Sequence, residues 1–397
     1  MTHIVVLFTN LGPYHMARLT QLHAACRERG WQITAIELAR SEADYAWKTS
    51  LSGSPFLIVS LSSSQLEQTP FSQLLQRLWA TLTQLQPNVV AIAGYGRPAM
   101  LVALAWDRWH QTPTVLMSET TAQDTPRQPW KETLKRGLIR RYDAALVGGQ
   151  PQKQYLANLG MPAAAIFTGY NSVGNATFAP AQIACRPRPV ARRYFLAISR
   201  FVPKKNLPFL LSAYAAYRAA FGTAAWDLVL CGEGELRPQL QQQISKLALT
   251  DSVHLPGFLQ QVDLLPYLAH AECLVHASLH EQWGLVVNEA MAAGLPVLVS
   301  NRCGCYADLV LEGITGFGFD PTDQAALASL LHQASAGELG LQRMGQAALQ
   351  HIQQFSPDGF AHGCLQAVEY AIAHHRWRGV TVGDRPSCPP SYPHNAP

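Results

Sequence analysis

Two glutamates, Glu281 and Glu289, stand in the stretch His280-Glu281-Gln282-Trp283-Gly284-Leu285-Val286-Val287-Asn288-Glu289-Ala290-Met291-Ala292-Ala293-Gly294-Leu295-Pro296. Gly284 permits a sharp turn or a close backbone approach. Leu285–Ala293 then reads as a helix, stopped by Gly294 with Pro296 behind it. One carboxylate thus sits ahead of the helix and the other inside its first turns, so both can face one cleft. The free N–H groups and the dipole at the helix start favour a phosphate between them. Upstream, Ser199-Arg200-Phe201-Val202-Pro203-Lys204-Lys205-Asn206 sets Arg200 and Lys205 across a turn, where a guanidinium and an ammonium can clamp a diphosphate. Neutralising a departing diphosphate is the main electrostatic task when a bond from sugar to phosphate breaks. Asn206 is a candidate N-cap, with Pro208 tolerated in the first turn. Cys231-Gly232-Glu233-Gly234-Glu235 reads as a strand, a glycine turn and a helix start, without the third glycine of a dinucleotide fingerprint. Taken singly, any of these charges is as readily a solvated surface group. Their joint occurrence, in order and at strand ends, carries the chemical reading.

These side chains need elements to hold them. Short β-branched runs alternate with helical patterns along the chain, which predicts parallel sheets covered by helices. Strands are expected at 4–8, 32–38, 56–60, 89–92, 114–117, 144–147 and 166–168, then at 194–198, 227–231, 253–255, 273–276 and 296–300. Helical patterns include 15–29, 71–85, 100–110 and 130–141. Residues 181–193, with Cys185-Arg186-Pro187-Arg188-Pro189, read as an exposed linker. The fold class is therefore α/β, with two Rossmann-like doubly wound domains facing across a cleft: an acceptor domain at 1–180 and a donor domain at 194–360. A last helix at 361–378 returns to the first domain, and 379–397 is a proline-rich tail without apolar pattern. In such sheets ligands bind at the carboxyl ends of strands.

Composition narrows the partners. A charge of +4 on 397 residues, with no aromatic-studded basic stripe, gives no reason to expect nucleic acid. No run of 18 apolar residues and no signal-like start occur, and eight scattered cysteines do not form a disulfide framework. A cytoplasmic protein is expected. Cys303 and Cys305 lack a second ligand pair at metal spacing, so structural thiols are expected there.

Arg200 with Lys205, the Gly232-Glu233-Gly234 turn and the Glu281/Glu289 pair in its Trp-Gly…Glu-Ala-Met-Ala-Ala-Gly-Leu-Pro-Val setting resemble the retaining glycosyltransferases of family 4. The resemblance is dense over about 194–330 and thin over 1–180. It implies the GT-B fold and transfer of a hexose from a nucleoside-diphosphate sugar, UDP first among bases, to an unidentified hydroxyl in glycolipid or polysaccharide synthesis. It implies no metal and no further cofactor. Arg200 and Lys205 would hold the donor's phosphates, and Glu281 the hydroxyls of its sugar. Backbone N–H groups at Trp283, Gly284 and Leu285 would touch sugar and phosphate, and Glu289 would bind the ribose, with Gly232 and Gly234 beside the donor.

In the first half the loop Asn10-Leu11-Gly12-Pro13-Tyr14-His15 closes a strand and opens a helix. The resembled family has a glycine-rich loop there near the diphosphate, of which Gly12 remains. His15 is either a cleft hydrogen-bond donor or proton relay, or a helix-face residue. Many family members carry a histidine after a later strand; here Ser118-Glu119-Thr120-Thr121 stands instead. Glu119 either acts on an acceptor hydroxyl or caps the helix near Pro129. Arg127, Lys131, Lys135, Arg136, Arg140 and Arg141 surround a helix with Trp130, Leu134, Leu138 and Ile139. Its apolar side faces the core, or it meets an anionic membrane bearing a lipid-linked acceptor. Acceptors considered are a sugar, a lipid-linked sugar or a small molecule. An epimerase on the same architecture and a non-catalytic nucleotide-sugar sensor are the alternative functions.

Overall fold

The computed structural model describes residues 1–42, 49 and 51–375; the tail expected at 379–397 lies outside them. The chain forms two parallel sheets. The first contains β1 (His3–Phe8), β2 (Gln32–Glu37), β3 (Leu57–Ser60), β4 (Val89–Ala93), β5 (Thr114–Ser118), β6 (Ala144–Val147) and β7 (Ile166–Thr168) in the order β3-β2-β1-β4-β5-β6-β7. The second contains β8 (Tyr194–Ile198), β9 (Asp227–Cys231), β10 (Val253–Gly257), β11 (Cys273–His276), β12 (Val297–Ser300) and β13 (Gly316–Phe319) in the order β10-β9-β8-β11-β12-β13.

Strand alternation explains the layering. On β1, Val5 and Leu7 point into one core while Ile4, Val6 and Phe8 point into the other, the period-two pattern of a sheet buried on both faces. The second sheet likewise separates Leu196, Val229 and Leu274 from Phe195, Leu228 and Cys273. Each sheet winds outward in both directions from its first strand, so a crevice opens where the order reverses: between β1 and β4, and between β8 and β11. Leu7 pairs with Ile92 in the first, and Leu274 with Leu196 in the second.

Several expectations shift. β13 was not foreseen: two of its four residues are glycine, a poor strand former. Gly316 is needed because a Cβ there would lie 1.9 Å from the Val297 carbonyl oxygen. Asn206 stands at an N-cap position but does not cap; its Nδ2 donates to the Pro321 carbonyl at 2.8 Å. The helix Pro129–Ile139 buries Ile139, yet Trp130 and Leu134 are 62% and 66% exposed, so its apolar residues do not all face the core. Within the stretch 181–193, Ile183 ends a short helix and is buried with Val173 and Phe178 in the second lobe's core. The helix Pro357–His374 lays Phe360, Cys364 and Val368 on the first sheet and packs along the helix Pro13–Glu28.

Candidate functional site

The two crevices face one another. The loop after β8 carries Arg200, then Lys204 and Lys205 in a single 3₁₀ turn, Pro203–Lys205. The Lys204 carbonyl accepts the Leu279 N–H at 2.8 Å, which ties this loop to the one after β11. The Gly232 turn closes against it: the Phe201 N–H donates to the Glu233 carbonyl at 2.7 Å, and a Cβ on Gly232 would fall 1.8 Å from the Ser199 carbonyl oxygen. Only glycine fits there.

After β11 the chain turns through Gly284, at φ +106° the N-cap of the helix Leu285–Ala292. A buried brace fixes this turn. The Trp283 indole N–H donates to Asn288 Oδ1 at 2.8 Å, and Asn288 Nδ2 donates to the Asn171 carbonyl at 3.3 Å. Trp283 is 2% exposed, its indole locked into this brace.

A cavity of about 320 Å³ results, lined by Arg200, Lys204, Lys205, Gly232, Glu281, Trp283, Gly284, Leu285 and Glu289 of the second lobe and by Tyr14 and Glu119 of the first. Eight of the residues singled out in the sequence for the donor end or for catalysis thus share one pocket with Glu119. Gly234 does not line it; that residue packs against the Phe201 backbone.

The two glutamates differ in state. Glu281 pairs with the Lys205 ammonium and lies 3.6 Å from Lys204. Burial alone would raise its carboxyl, but the two ammonium groups outweigh that and hold it at about 2. Arg200, Lys204 and Lys205 place three cations on this wall of the cavity, a cationic face suited to a diphosphate. Glu289 is 3% exposed, and burial pushes it up to about 7, only partly offset by the Tyr14 hydroxyl, which donates to its Oε1 at 2.5 Å. His276, buried beneath the Gly284 turn, is pulled down to about 3 by burial and the nearby Lys205, so it is neutral.

A second cavity, about 360 Å³, adjoins the first and shares Tyr14, Glu119, Gln282 and Leu285 with it. Gly12 and His15 line this one, so the two sequence candidates of the first loop sit apart from the cationic cluster. Glu37, at the end of β2, accepts the Leu11 N–H at 3.0 Å and holds the loop in place. His15 Nδ1 accepts the Gly12 N–H at 3.1 Å, which leaves hydrogen on Nε2 in the neutral ring. Burial and the neighbouring Arg18 pull that ring down to about 3. His15 is therefore suited to donate a hydrogen bond and ill suited to relay a proton at neutral pH. Glu119 does not cap the helix at Pro129, whose N-cap is Gln128; burial raises its carboxyl, countered in part by Arg18. His280 lines neither cavity.

Sequence reasoning missed three residues. Lys204 was hidden beside Lys205, and its approach to Glu281 was the signal that only coordinates gave. Arg18 lies 1% exposed in the second cavity, its Nε donating to the Ser172 carbonyl at 2.8 Å. Tyr14 stood in the quoted loop but had no partner in sequence. Among the described residues no group of three or more His, Cys, Asp or Glu side chains is placed to hold a metal ion, and Cys303 and Cys305 are free and buried.

Known proteins share this layout. Residues 180–351 match the family described as glycosyl transferases group 1. D-inositol 3-phosphate glycosyltransferase of Streptomyces avermitilis is 34% identical over 148 residues, 37% of this chain and 32% of that protein. The uncharacterized glycosyltransferase YqgM of Bacillus subtilis is 30% identical over 166 residues, 42% of this chain and 45% of its own length. The matched stretch thus spans less than half of these curated relatives. In structure, Anabaena Alr3699/HepE, solved in complex with UDP and glucose, superimposes with a TM-score of 0.72 at 19% identity, covering 93% of this chain and 100% of that one. A glycosyltransferase of Rickettsia africae superimposes with a TM-score of 0.71 at 14% identity, covering 93% of this chain and 98% of that one, so the two-domain α/β fold is shared over both lobes.

Proposed function

We propose that the chain is a retaining glycosyltransferase that moves a hexose from a nucleoside-diphosphate sugar to a hydroxyl acceptor. One observation carries the reading: Arg200, Lys204 and Lys205 line the same cavity as the glycine turn that opens the helix Leu285–Ala292, with Glu289 alongside. The cations and the helix-start N–H groups hold the diphosphate and take up the charge that grows as it leaves. These cations take the place of a metal in the proposal. Glu281, ionised at neutral pH, accepts hydrogen bonds from the sugar hydroxyls; Glu289 accepts from the ribose.

The acceptor enters through the second cavity, where the His15 Nε2–H and Glu119 meet it. Its oxygen bonds to the anomeric carbon as the carbon–phosphate oxygen bond breaks on the same face, and the hydroxyl proton passes to the departing phosphate oxygen. UDP is the favoured base, the nucleotide with which the Anabaena structure was solved. The product belongs to glycolipid or polysaccharide synthesis in the cytoplasm, where the seven free cysteines among the described residues would stay reduced. No described helix is long and apolar enough to cross a membrane. The exposed Trp130 and Leu134, with Lys131 placed over the Trp130 ring, favour peripheral contact with an anionic surface.

A thermal-shift panel of UDP, GDP and ADP and their sugars tests the donor reading, because a ligand at one hundred times its Kd stabilises the folded state by about 2.7 kcal/mol. One nucleotide should raise the melting point by several degrees. No shift with any of them overturns the reading.

A further inference from the structure

Tyr14 belongs to the first lobe and Glu289 to the second, yet the Tyr14 hydroxyl donates to Glu289 Oε1 at 2.5 Å across the cleft. We propose that Tyr14 gates the donor site: its hydroxyl holds the carboxylate that a nucleotide's ribose would take, and a donor binds by displacing it. The inference rests on the donor reading given above.

Three observations support it. First, Glu289 is 3% exposed, and a carboxylate that deep needs a hydrogen-bond donor in the absence of ligand. A phenol O–H is chemically close to a ribose O–H, so it satisfies the same acceptor. Second, the tyrosine is placed there by its surroundings. Pro13 starts the helix, Glu37 holds the Leu11 N–H, and the Tyr14 ring packs against the core cluster that contains Trp283 and Val287. Third, Tyr14 lines both cavities. Moving its side chain off Glu289 changes the wall of the second cavity as well, so donor binding would reshape the space that receives the acceptor, and the two substrates would bind in order.

The gate predicts an affinity gain from a deletion. Tyr14→Phe keeps the ring and removes the competing hydroxyl, leaving Glu289 for the ribose. Isothermal titration with UDP should give a Kd about fivefold to tenfold lower than wild type, the scale of one hydrogen bond's net contribution. With 2′,3′-dideoxy-UDP, which offers Glu289 no hydroxyl, the gain should shrink toward onefold. Tyr14→Leu, which also lacks the hydroxyl, is the second variant should the first fold poorly. Equal or weaker UDP binding in both variants, with wild type binding normally, overturns the gate alone. If wild type binds none of UDP, GDP and ADP, the donor reading fails and the gate falls with it.

Discussion

The two walls of the cleft are built in different ways. The wall of the second lobe draws its chemistry from three short segments: the turn 199–206, the glycine turn at 232 and the run 281–289. In each, the backbone conformation that places the side chain is encoded beside it, as with Gly284 ahead of Leu285. The wall of the first lobe takes Tyr14 and His15 from the start of the helix Pro13–Glu28 and Glu119 from the loop after β5; Tyr14 finds its partner, Glu289, 275 positions away, and the loop ahead of it is held by Glu37 through the Leu11 N–H. A charged leaving group demands a fixed set of donors and cations, while an acceptor hydroxyl can be met in many ways. The difference teaches that the two walls should fail differently when altered.

The largest effect should come from the second-lobe wall. Lys205→Ala removes a cation from the diphosphate and leaves Glu281 without its main partner, so kcat/KM in a transfer assay should fall by about 10³-fold, the scale of losing one charge-stabilising donor. A fall as large from any first-lobe variant would break the comparison. Glu289→Gln comes next: it keeps the volume but loses the charged acceptor, and UDP affinity by titration should drop about tenfold to thirtyfold. His15→Ala should lower kcat about tenfold while leaving the UDP Kd within twofold, since the ring lines the second cavity only.

The smallest effect concerns pH, and it separates the two glutamates. With Glu289 raised to about 7 by burial, its ionised, ribose-accepting form grows between pH 6 and 8, so UDP affinity should climb about fivefold over that range in wild type and less in Glu289→Gln. The stability signs are opposite. Glu289's burial costs nothing below its ordinary 4.5, and the cost grows as pH rises toward about 7, because the unfolded chain ionises first. Glu281, held at about 2, contributes stability above 4.5 that is lost as pH falls toward 2. Urea titrations of Glu281→Gln and Glu289→Gln across pH 3–8 check both signs.

How much of this was legible follows the same division. Strand positions were readable because both sheets are buried on two faces and their apolar runs stand out, as at Val89–Ala93 and Asp227–Cys231. Gly316–Phe319 escaped because its glycines serve a close approach to Val297 and carry no strand signal. The donor wall was legible because its turns are local. The Tyr14–Glu289 contact was not, for it joins residues 275 positions apart and depends on how one lobe meets the other. The state of His15 also needed coordinates: a histidine three residues after Gly12 reads as a possible relay until its Nδ1 is found to accept the Gly12 N–H.

A crystal structure with UDP bound tests the central claim most directly. The account predicts the diphosphate between Arg200, Lys205 and the N–H groups of Gly284 and Leu285, with the ribose hydroxyls on Glu289 and the Tyr14 hydroxyl moved away. Nucleotide bound elsewhere, with Lys205 still paired to Glu281 and the cavity unchanged, would contradict it.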